Sequence, residues 1–154
     1  MSRPDVMIID TDHNRIRSLR RILSEARSNL TVEEVTQPSQ VREAVNKGRP
    51  SLVLMHTTFP YLEEDGTGLV ELVQEDMRNI NTGIMLVLPV SGSLLYRSGY
   101  QEGMEWLELA DDLITTDFTS DMIQHVVVDY LDRHAVRQEA RAAAGEPEYA
   151  LVSE

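Results

Sequence analysis

Short apolar runs recur along the chain, each followed by a stretch whose apolar residues return every three or four positions. The first run, VMII at 6–9, reads as a buried strand. A helix over about 15–27 follows, because Ile16, Leu19 and Leu23 share one helical face, with Asp12 or Asn14 as its N-cap. Residues 31–35 alternate and are partly β-branched, which predicts a second strand. Ser39 opens a helix over 39–47 that Gly48 stops. LVLM at 52–55 is the third strand, and it delivers His56 to the edge of a sheet. A long loop leads to a helix over about 68–78, a fourth strand at 84–88 and a helix around 94–107. A short fifth strand at 113–115 precedes a last helix that starts near Ser120 and extends as far as 144.

Strands that alternate with helices five times predict an α/β fold with a five-stranded parallel sheet and helices on both faces. Right-handed crossovers restrict the topology, and the flavodoxin-like order 2-1-3-4-5 is expected. Ligands in such folds sit beyond the carboxyl ends of the strands. That directs attention to Asp10, Thr11, Asp12, His56, Leu88, Thr115 and Thr116. Residues 1–134 are expected to form one domain, and 135–154 an extension of the last helix with a flexible end.

Composition narrows the function. The chain of 154 residues has 26 acidic and 14 basic side chains, a net charge of -12, so its general field repels nucleic acid. The one basic cluster, RIRSLRR at 15–21, is interleaved with apolar residues at helical spacing and reads as a solvated helix face. Cysteine is absent, which excludes disulfides and thiolate chemistry. No apolar run is long enough to span a bilayer, and the start is too poor in apolar residues for a secretory signal. A cytoplasmic location without membrane contact is therefore expected. A single lysine, Lys47, falls on the predicted second helix.

At this point the sequence resembles the receiver domain of bacterial response regulators over about residues 4–134. The resemblance rests on VMIIDTD at the first strand, PSLVLMHTTFP at the third, DGTGLVELV opening the third helix and ELADDLITTDF around the fifth strand. It implies a phosphoacceptor aspartate ending the third strand, Mg²⁺ held by paired acids after the first, a hydroxyl ending the fourth and a lysine ending the fifth. Most of that set is replaced. Asp10 keeps the first acid, Thr11 stands at the second, and His56 stands at the acceptor with Pro60 at the family's spacing behind it. Leu88 stands at the hydroxyl, Thr116 at the lysine, and Asp117 at the proline that usually follows. An imidazole cannot form an acyl phosphate, and one histidine among carboxylates is a poor cage for Mg²⁺. Loss of the lysine removes the counter-charge for phosphoryl oxygens. The pattern is that of a degenerate, or pseudo-, receiver.

His56 is read as a structural histidine bonded to Asp10 and to backbone, with a charge pair that raises its pKa. Two alternatives stand beside this: a transition-metal ligand with Asp10 and Asp12, and a phosphohistidine. Glu63, Glu64 and Asp65 read as a solvated loop, and His13, His125 and His134 as surface residues. Tyr96, Tyr100 and Trp106 make an aromatic segment that suits an interface, alongside Ile123 and Tyr130 of the last helix, which with Val126 and Val127 also form the stripe needed to cover the sheet. The expected function is a non-catalytic signalling module that needs no cofactor and no aspartyl phosphorylation. It would act by contact with a signalling protein, a downstream output domain or a second copy of itself. The alternatives are a ligand- or metal-sensing switch in the altered pocket, and phosphotransfer to an atypical acceptor such as His56, Thr57 or Thr58.

Overall fold

The computed structural model describes residues 3–60, 67–95 and 105–145. Five parallel strands, β1 (Val6–Ile9), β2 (Val32–Val35), β3 (Leu52–His56), β4 (Gly83–Val87) and β5 (Asp112–Ile114), pair in the order β2-β1-β3-β4-β5. The expected order and fold class are therefore observed. The helices are α1 (His13–Ala26), α2 (Val41–Gly48), α3 (Thr67–Glu71), α4 (Gly92–Leu95) and α5 (Ser120–Ala143).

Alternation along the strands divides the core into two layers. Met7, Ile9, Val53, Met55, Ile84 and Leu86 turn toward α2 and α3, meeting Val41, Val45, Leu69 and Leu72. Their neighbours Val6, Ile8, Leu52, Leu54 and Met85 turn the other way, onto Ile16, Leu19 and Leu23 of α1 and Val127 and Leu131 of α5. The central strands β1 and β3 are buried at every position, as strands covered on both faces must be. β2 is an edge strand and buries only Val35. Its edge is guarded by charge: Arg20 donates to the Val32 carbonyl at 2.9 Å and pairs with Glu34.

Several element boundaries differ from expectation. Ser39 is not an N-cap, because Pro38–Gln40 form a 3₁₀ turn before α2. Proline fixes the backbone of that turn and moves the helix start to Val41. Gly48 is the last helical residue, and the left-handed residue that ends α2 is Arg49, at φ 50°. The third helix continues beyond α3 as a π-helical segment, Leu72–Met77. Around 94–107 the described residues hold α4 and a 3₁₀ turn at Glu105–Leu109.

α5 is capped by the Thr119 hydroxyl, which accepts from the Met122 N–H at 3.2 Å. The buried positions of α5 end at His134, and 135–143 continue as helix with mostly exposed side chains. His134 is a correction to the surface reading. It is 3% exposed, stacks on Tyr130 and donates from Nε2 to the Asn81 carbonyl at 2.8 Å. Ile123 and Tyr130 also leave the expected contact face: both are buried in the layer between sheet and helices. Tyr130 lies so close to the start of β4 that a Cβ on Gly83 would sit 1.9 Å from its hydroxyl. Among the described residues no helix is long and apolar enough to cross a membrane.

Candidate functional site

The carboxyl ends of β1 and β3 bring Asp10 and His56 into one pocket, both nearly fully buried at 2% and 4% exposure. β1 delivers Asp10 directly, and the chain then turns into α1. Asp12 accepts from the Asn14 and Arg15 N–H groups at 2.8 and 3.2 Å, which makes it the N-cap. Asp10 in turn accepts from the Asp12 N–H at 3.0 Å. This local order aims the third residue of α1, Arg15, back over the end of the sheet.

Arg15 is the group that the sequence reading missed. Its Nε donates to Asp10 Oδ2 at 2.8 Å and its Nη2 to Oδ1 at 2.7 Å, a bidentate fork. Its Nη1 lies 3.4 Å from Asp12 Oδ2. Burial alone would push the Asp10 carboxyl up. The Arg15 hydrogen bonds and charge, with the Asp12 N–H, outweigh that and hold it below its ordinary value. The expected His56–Asp10 hydrogen bond is therefore replaced by an Arg15–Asp10 pair.

His56 is satisfied locally. The Thr58 backbone N–H reaches its Nδ1 at 3.2 Å, and the Thr58 hydroxyl lies 2.7 Å from the same atom. An N–H can only donate, so Nδ1 is the acceptor and the ring proton sits on Nε2. The hydroxyl also accepts from Arg15 Nη2 at 3.2 Å, completing a chain Asp10–Arg15–Thr58–His56. The raised pKa expected for His56 is corrected. Burial holds it below the ordinary imidazole value, Arg15 adds to that, and the charges of Asp10 and Asp12 oppose it without prevailing. No hydrogen bond to Nε2 is found among the described residues.

The ends of β4 and β5 complete the surroundings. Leu88 is buried at 2%, with its N–H donated to the Ile114 carbonyl at 2.8 Å, so an apolar side chain fills its position. Thr11 and Thr116 are exposed, and the Thr116 N–H is spent on the Val90 carbonyl at 2.9 Å. Next to it the buried Thr115 hydroxyl donates to Asp117, which also accepts from the Gly92 N–H at 3.1 Å. The Thr115 and Gly92 bonds hold the Asp117 carboxyl below its ordinary value. The Asp117 carboxylate thereby ties the β5–α5 loop to the first turn of α4.

Mg²⁺ does not fit this donor set. Arg15 already supplies fixed positive charge to both oxygens of Asp10 and lies against Asp12, and His56 offers nitrogen where a hard cation needs oxygen. Among the described residues no three His, Asp or Glu side chains converge closely enough to hold a metal ion. The loop acids Glu63, Glu64 and Asp65, and Tyr96, Tyr100 and the side chain of Trp106, lie outside the described residues.

Arg15 carried a faint signal in the sequence. It stands three residues after the capping Asp12, in a first turn that holds no acidic residue, where a cation opposes the helix dipole. An unfavourable local choice of that kind marks a side chain engaged elsewhere.

No family model and no curated protein matches the sequence. Solved structures do match the fold. A signal receiver domain from Vibrio parahaemolyticus superposes with a TM-score of 0.67 at 14% identity, over 90% of this chain and 98% of that one. A CheY-like response regulator receiver domain protein from Methanospirillum hungatei gives 0.64 at 17% identity, over 88% and 99%. A response regulator receiver modulated diguanylate cyclase from Pelobacter carbinolicus gives 0.59 at 18% identity, over 88% and 98%. The likeness to these three is one of fold.

Proposed function

From a chain with the receiver fold, we propose a cytoplasmic two-component signalling module that works by protein contact without phosphorylation of an aspartate. The observation that carries this reading is the Arg15 fork on Asp10, beside a neutral His56 at the end of β3. A guanidinium held by α1 supplies the positive charge that a receiver takes from a bound cation. The acceptor carboxylate is replaced by an imidazole that cannot form an acyl phosphate. The Asp117 tether likewise holds the start of α4 with the chain's own side chains.

Such a module passes on its state through a partner. The receiver modulated cyclase among the similar structures supports a downstream output domain as the partner class. We propose a second copy of the chain beside it, on the expected contact face alone. Trp106, Tyr96 and Tyr100 remain the proposed contact anchors.

The test is intact-mass spectrometry after incubation with acetyl phosphate and Mg²⁺. The expected result is an unchanged mass, with no Mg²⁺-dependent rise in melting temperature. A gain of one phosphoryl group would sink the reading.

One observation favours a second reading, phosphotransfer to an atypical acceptor. The Thr58 hydroxyl is exposed, 2.7 Å from a neutral imidazole nitrogen and 3.2 Å from a guanidinium. The carboxylates of Asp10 and Asp12 stand against it, since they repel an incoming phosphoryl group. The same measurement on Thr58→Val decides, because a mass gain that this variant loses establishes Thr58 as the acceptor.

A further inference from the structure

α1 departs from the rest of the chain in charge. Its 14 residues hold Arg15, Arg17, Arg20 and Arg21 against one acid, Glu25, or +3, within a chain of -12, which leaves -15 elsewhere. The placement also runs against the helix dipole: no acid lies in the first turn and no base in the last. Helix stability does not account for it.

The four arginines divide by task. Arg15 is committed to Asp10, and Arg20 to Glu34 and the Val32 carbonyl. Arg17 and Arg21 are exposed, with no ion pair or hydrogen bond from their side chains among the described residues. They stand four positions apart, so they share one face at a separation of about 5–6 Å between Cβ atoms. Arg27, just past the helix, lies on Asp132 in a half-exposed pair that a stronger partner can replace.

We propose that the exposed face of α1 docks an acidic segment of a partner protein, one that presents carboxylates about one helical turn apart. This deepens the reading of the chain as a contact module by assigning a surface and a partner chemistry. A carboxylate segment fits better than a nucleic acid. Two unpaired arginines match two or three carboxylates, whereas a duplex would lay a long row of phosphates across a protein otherwise at -15.

The experiment is a titration of the full-length ¹⁵N-labelled chain with a helical peptide carrying Glu at i, i+4 spacing. A Gln-substituted copy of that peptide and a short DNA duplex are run alongside. Shifts are expected in α1 and the adjoining part of α5 with the Glu peptide alone. Binding should weaken about fivefold between about 0.05 and 0.3 M salt as screening shortens the reach of the charges. The Arg17→Gln/Arg21→Gln double variant should lose about tenfold in affinity, and the charge-matched Lys47→Gln/Arg78→Gln control should keep it. Absence of binding by the wild-type chain overturns the proposal. So does an equal loss in the control, or a tighter arginine-dependent complex with DNA. The readout is separate from the phosphodonor measurement, so failure of one leaves the other standing.

Discussion

Two buried histidines sit at opposite ends of the sheet, and they are buried almost equally, His56 at 4% and His134 at 3% exposure. Burial lowers the pKa of both, so both are held as neutral rings. Their surroundings differ. His56 accepts at Nδ1 from a threonine two residues on, with the Asp10 and Asp12 carboxylates close enough to oppose its neutrality. His134 donates from Nε2 to the Asn81 carbonyl 53 residues away, and Arg3, Arg137 and Arg141 add to burial in lowering its pKa. One histidine closes a local turn at the end of β3. The other clamps α5 to the loop before β4. Burial gives the two rings a common protonation state, and the bond each makes gives them different tasks.

The clamp end offers the largest expected effect. Gly83→Ala places a methyl group 1.9 Å from the Tyr130 hydroxyl and 2.9 Å from Asp111 Oδ2, so the buried Tyr130 ring must shift within its packed layer. A loss of about 3 kcal/mol is expected in urea unfolding. A variant as stable as wild type would show that Tyr130 can move aside and that this end is not rigid.

At the pocket end, Arg15→Gln leaves the Asp10 carboxylate buried without its partner. Allowing for the partial exposure of Arg15, about 2 kcal/mol is expected at neutral pH. With Arg15 in place the folded pKa of Asp10 lies below its unfolded value, so its stabilisation is present above about pH 4 and is lost as pH falls through the folded value. In the variant, burial is no longer outweighed and the carboxyl should titrate above its ordinary value. Carbon-detected NMR of the Asp10 carboxyl reads this, and an unmoved titration would mean that the fork does not set its charge.

The two histidines themselves should contribute alike. Each has a folded pKa below the unfolded value of about 6.5, so the unfolded chain binds protons first as acid is added. Stability from both is then fully present above about pH 6.5 and is lost as pH falls through the folded values. Imidazole titration by NMR should give two midpoints below the reference. A midpoint for His56 above it would mean that Asp10 and Asp12 dominate, and the comparison would fail at that end. Thr58→Val, the smallest change, removes a hydroxyl shared by Arg15 and His56 and should cost about 1 kcal/mol by urea midpoint.

The strands were legible because each central one is a continuous apolar run bounded by polar residues, and the order of strands and helices then left few topologies. The Asp12 cap was legible as well, being a contact across three residues. What escaped were contacts that span elements. Arg15 lies on a helix whose other arginines are exposed, and only the sheet edge beneath it reveals its fork. His134 looks polar and exposed in a helical pattern until the Asn81 carbonyl is brought to it by the fold. Ile123 and Tyr130 suited both an interface and the stripe that covers the sheet, and the core took them.

The unbroken run of α5 has a mechanical consequence. Its 24 residues are tied at Gln124 to the Ile22 carbonyl, at Asp132 to Arg27, at His134 to the Asn81 carbonyl and at Gln138 to the Asn81 side chain. Beyond these four ties the helix runs on through residues 139–143, joined to the body without a break. A helix of that length measures about 36 Å, so a tilt of about 5° at its capped start sweeps the far end through about 3 Å. A shift of about 1 Å at Val127 is thereby enlarged at the tip to about the diameter of a water molecule.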